Sequence, residues 1–79
     1  MTKMVAFNIK KIISNILSIN ADDISDDSGP KSLAGWKGMN HRLIIESIEK
    51  EFGIVFEQSE IDTFVNFKII KSTVIAHMD

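Results

Sequence analysis

Asp22, Asp23, Asp26 and Asp27 crowd six consecutive positions, and clustered carboxylates are what a hard cation such as calcium coordinates. The spacing fails as an EF-hand loop. With Asp23 in the first position, Ser28 falls where the tight turn needs glycine and Ala34 where a bidentate glutamate is required. A solvated acidic loop is the expectation. Ser28, Ser32 and Ser47 offer hydroxyls, but no base and orienting acid stand at a spacing that suggests a catalytic triad, and His41 and His77 without any cysteine make a poor metal set. The serines read more simply, Ser28 and Ser32 as loop hydroxyls bonding local backbone and Ser47 as a tolerated helix residue. His41 is expected to be partly buried and hydrogen-bonded, and His77 to be exposed. On these residues the chain is not expected to be an enzyme, and no metal is expected.

The elements that would position these groups are helical. Val5, Ile9, Ile12, Ile13 and Ile16 recur at helical spacing with Lys10, Lys11, Ser14 and Asn15 between them, which predicts an amphipathic helix over about 3–17 with Thr2 as its N-cap. From Asn20 to Ser32 the chain gathers Asn, Asp, Ser, Gly29 and its one proline, Pro30, so a long polar loop follows, pinned by Ile19, Ile24 and Leu33. Met39 to Phe52 places Ile44, Ile45, Ile48 and Phe52 on one face and closes on Gly53, a second helix with its expected terminator. Ile54, Val55 and Phe56 form an apolar connector with no alternating segment to pair with. Ser59 to Phe64 can form a short third helix, and Asn66 can cap a fourth running to about His77 with Phe67, Ile70 and Val74 inward.

The stretch LAGWKGMNHRLIIESIEKEFGIVF, Leu33 to Phe56, is similar to the prosthetic-group turn and second helix of acyl carrier proteins, whose pattern there runs Asp-Ser-Leu/Met before an apolar helix ending Glu-Glu-Phe-Gly-Ile. Trp36, Met39, Ile44, Ile45, Ile48, Glu49, Glu51, Phe52, Gly53 and Ile54 carry the likeness, and Trp36 resembles the Gly-Trp-Asp-Ser variants of some specialised members. The triplet here is Lys37-Gly38-Met39. Gly38 therefore stands at the position equivalent to the serine that carries 4′-phosphopantetheine, and attachment there is not possible as written. The resemblance implies an all-α, acyl-carrier-protein-like four-helix bundle, three longer helices plus one short, with a long loop between the first two. It implies a family cofactor, 4′-phosphopantetheine, that this chain cannot hold at the usual site. A phosphopantetheinyl transferase would be a partner only if position 38 were serine.

A serine at the start of helix two would lie where free backbone N–H groups and the helix dipole favour a phosphate. Lys37, in place of the family's acidic residue, makes the turn electropositive and would suit a non-covalent phosphate or carboxylate. Met39 and Leu43 fall one turn apart on the outer face of helix two, flanked by Glu46 and Lys50. Carrier proteins present this face to acyl-transferring or acyl-modifying enzymes, so the resemblance implies a partner surface of Lys37, Met39, Asn40, Arg42, Leu43, Glu46, Glu49 and Lys50. His41, Ile44, Ile45 and Ile48 would line an acyl cavity. Trp36 serves burial first.

Seventy-nine residues make one domain, 1–79, with a modest core. No cysteine is present to staple it. Nine cations against eleven acids, with no basic stripe, argue against nucleic acid. No window approaches the ~18 apolar residues of a membrane span and no leader pattern opens the chain, so a cytoplasmic monomer is expected. Three functional classes follow. The first is a carrier-like domain, of fatty acid or polyketide type, that docks through helix two without being loadable. The second is a specialised carrier whose working form has serine at position 38. The third is a helical interaction adaptor outside acyl metabolism.

Overall fold

The computed structural model describes residues 4–78, and the expected Thr2 cap lies outside them. Four α-helices and no strand occur among the described residues: α1 Val5–Leu17, α2 Met39–Phe52, α3 Gln58–Ile61 and α4 Phe67–Met78. α2 has the bounds expected from its apolar period. α3 is shorter than the expected Ser59 to Phe64, because Phe64 turns inward to the core while Val65 N–H bonds back to the Thr63 carbonyl. The loop after α1 is not wholly irregular, since Asn20 accepts the Asp22 amide through Oδ1 and starts a single 3₁₀ turn, Ala21–Asp23.

The three longer helices bury the faces their sequences mark. Val5, Ile9 and Ile13 of α1, Ile44, Ile45 and Ile48 of α2, and Phe67, Ile70 and Val74 of α4 are buried in one core, to which Trp36, Phe56 and Phe64 add aromatic area. Ile12, Ile16 and Phe52 sit at its edge, half-buried. α1 packs against both α2 and α4. Of the residues expected to pin the long loop, Ile24 is buried and Ile19 and Leu33 are half-buried against the core.

The helix ends follow local chemistry. Ser18 closes α1 in the left-handed conformation, φ 58°, and Gly53 closes α2 likewise at φ 66°. The Gly53 and Ile54 amides both bond the Glu49 carbonyl, satisfying the last turn. At the start of α4 the Asn66 side chain accepts the Ile69 amide at 2.9 Å, the cap its residue type promised. The Phe67 and Lys68 amides bond the Ser28 and Asp26 carbonyls, so the acidic loop finishes the same helix end. Asp26 also pairs with Lys71 at 3.2 Å, which fastens this loop to α4.

Candidate functional site

The turn before α2 is built around Trp36. Its indole is fully buried, and the chain enters it through Gly35, φ 88°, and leaves it through Gly38, φ 57° and ψ −129°. Asn40 steadies the turn by donating from Nδ2 to the Gly35 carbonyl at 2.9 Å, while the Lys37 amide bonds that same carbonyl. Gly38 is the residue immediately preceding α2, and it caps the helix with no side chain. A Cβ at Gly38 would meet no heavy atom within 4 Å. The room for a side chain is therefore present, but the positive φ belongs to a conformation that L-residues adopt only at a cost.

The outer and inner faces of α2 separate as the helical period demands. Met39 is 76% exposed and Leu43 42% exposed, with Arg42 and Glu46 joined by an exposed i,i+4 ion pair at 3.4 Å. Lys37 and Lys50 are exposed beside them, and Asn40 is half-buried by its bond into the turn. Glu49 is placed differently from a free docking carboxylate. Its Oε2 accepts the Phe56 amide at 2.8 Å and anchors the connector to α3. Ile44, Ile45 and Ile48 lie in the core, so only Ile45 among them reaches a cleft wall.

His41 has the partner that sequence reasoning left unnamed. Trp36 Nε1–H donates to His41 Nδ1 at 2.9 Å, closing the loop before α2 onto the first turn of that helix. Two adjoining open clefts lie along this wall, of about 540 and 360 Å³, sharing Gly38, His41, Gln58 and Ile61. Lys37 stands at the first and Arg42 at the second. The far wall is α3, which no residue-type signal had marked as part of a site.

The upstream hydroxyls are already committed. Ser28 is buried and its Oγ accepts the Ser25 amide at 2.8 Å, while Ser32 Oγ accepts the Gly29 amide at 2.9 Å. Ser47 sits half-buried within α2. His77 is exposed, as expected, and it also has partners. Its Nε2 lies 2.9 Å from both carboxylate oxygens of Glu60, and its ring meets Phe56 edge-on at 5.5 Å. The Glu57 amide donates to the same Glu60 carboxylate, and that bond, then the His77 contact, holds the Glu60 pKa below its usual 4.5.

No group of three histidine, aspartate or glutamate side chains among the described residues could hold a metal ion. No described helix is long and apolar enough to cross a membrane. A scan against protein-family models gives no match, and a search of curated proteins gives no significant match.

Proposed function

We propose that this chain is an acyl-carrier-like docking domain that has given up the covalent arm and engages an acyl-metabolism enzyme through the exposed face of α2. The observation that carries the reading is the junction at Gly38: a glycine with open space around it heads α2, directly before exposed Met39 and Leu43. The order of helices, long, long, short, long, with an extended loop after the first, supports the same scaffold.

The residues present do not fit attachment of 4′-phosphopantetheine. Position 38 has no hydroxyl, and Ser28 and Ser32 spend theirs on loop backbone. The positive φ of Gly38 favours glycine as the residue on which this turn is built, over a working form with serine there. Chemistry on any cargo belongs to the partner, and α2 supplies recognition: an apolar pair, Met39 and Leu43, flanked by the compensated charges of Arg42 and Glu46.

The test is loading of designed variants. Incubated with coenzyme A and a broad-specificity phosphopantetheinyl transferase, Gly38→Ser is expected to gain one phosphopantetheine by intact mass, and the same variant with Met39→Asp and Leu43→Asp to load much more slowly. A folded Gly38→Ser chain that stays unloaded, or loading indifferent to the two aspartates, contradicts the reading.

A further inference from the structure

The bond between Trp36 and His41 fixes a chemical detail at the cleft wall. An indole N–H only donates, so His41 Nδ1 at 2.9 Å must accept. A neutral imidazole that accepts at Nδ1 carries its proton on Nε2, and no residue among those described bonds that nitrogen. With Nδ1 turned to the buried indole, the Nε2–H edge is the one left for the clefts that His41 lines.

The charges around it are unevenly spent. Asp62 Oδ1 accepts from Gln58 Nε2 at 2.9 Å, Glu46 pairs with Arg42 at 3.4 Å, and Glu49 Oε2 accepts the Phe56 backbone amide at 2.8 Å. Lys37 has no ion-pair partner among the described residues. An unpaired ammonium and a fixed N–H donor thus share a cleft of about 540 Å³ with the apolar surfaces of Ile61 and Phe64. The volume lies within the roughly 300 to 1,000 Å³ of small-ligand sites, and Lys37, His41, Gln58 and Asp62 line the open cleft beside that apolar surface.

We propose that the joined clefts between α2 and α3 bind a small oxyanion carried on an apolar body, non-covalently, with His41 Nε2–H donating to the oxyanion and Lys37 as its counter-charge. Trp36 acts as a positioning residue: by occupying Nδ1 it keeps His41 in the donating tautomer. The site does not depend on α2 docking to a partner.

Carboxylates and phosphate monoesters share this chemistry, and two probes tell them apart. The ¹H–¹⁵N spectrum of the full chain, followed at the Trp36 indole and the Gly38 amide, is titrated with phenylacetate and with phenyl phosphate, and with inorganic phosphate and benzyl alcohol as controls. At least one of the first two is expected to saturate with Kd on the order of 1 mM, and the tighter one names the class. Lys37→Gln, at an exposed position, is expected to weaken binding roughly three- to fivefold. His41→Gln, able to accept from Trp36 and donate outward, keeps binding, whereas His41→Phe weakens it roughly tenfold or more. No saturation by either probe up to about 10 mM overturns the proposal. So does equal binding by Lys37→Gln, by benzyl alcohol, or by inorganic phosphate, the last reducing the site to an adventitious ion. Should His41→Phe fail to fold, the Lys37 comparison decides alone.

Discussion

Gly29 shows how one missing side chain can set the position of a whole loop. A Cβ there would lie 2.1 Å from the Val65 carbonyl oxygen and 3.1 Å from the Asn66 Cα, both backbone atoms that cannot swing aside. The acidic loop comes this close because its carbonyls cap α4, and only hydrogen at position 29 permits the approach. Gly29→Ala is expected to cost about 3 kcal/mol or more in urea denaturation, at the severe end of single substitutions. A change under about 0.5 kcal/mol would show that the loop is not held against α4. Sequence alone marked Gly29 as a turn residue and Ser28 and Ser32 as local hydrogen bonders, which they are. It could not mark the clash with Val65, since nothing in the residue types near 29 encodes a partner at 65. The Trp36 to His41 bond was equally invisible: each residue advertised a partly polar, buried side chain, but that they meet depends on the path of the turn between them.

At the scale of elements, α3 is too short to hold itself and is fastened from both sides. Glu57 and Glu60 exchange a capping box, and His77 at the end of α4 reaches back to the Glu60 carboxylate. Because the folded pKa of Glu60 is lowered, its ionised form contributes stability that is fully present above the usual value of 4.5 and is lost as pH falls through the lower folded value. Glu60→Gln is therefore expected to lower the melting temperature near neutral pH, with the gap to the parent chain narrowing below pH 4.5. A gap constant across that range would place the role of Glu60 in its shape, not its charge. Helices α1, α2 and α4 were legible because each carries several apolar residues at helical period, and α2 and α4 also have a readable stop or cap in Gly53 and Asn66. The bounds of α3 and the 3₁₀ turn at Ala21–Asp23 were not, since segments of 4 and 3 residues complete too little of a period to announce themselves.

For the whole molecule, a radius of gyration of 11.4 Å matches the roughly 11.6 Å of a compact domain of this length, reached without a disulfide. The buried core draws on α1, α2 and α4, while α3 adds half-buried Ile61 at its edge and closes the cleft side. In that division the buried helix faces hold α2 in place, and α3, fastened by its capping box and by His77, borders the clefts. It also explains why the fold was readable while the site was half-readable. Core faces repeat in the sequence, and Met39 and Leu43 could be placed outward by their phase, but Glu49 was turned from the outer face to the Phe56 amide by a connector whose course no pattern records.

Whether the proposed absence of a covalent arm holds is decided by the intact mass of the unaltered chain, produced alongside a broad-specificity phosphopantetheinyl transferase. The expected result is the mass of the bare polypeptide throughout. A species heavier by one phosphopantetheine would contradict the account, for it would mean that a hydroxyl other than one at position 38 serves as the anchor.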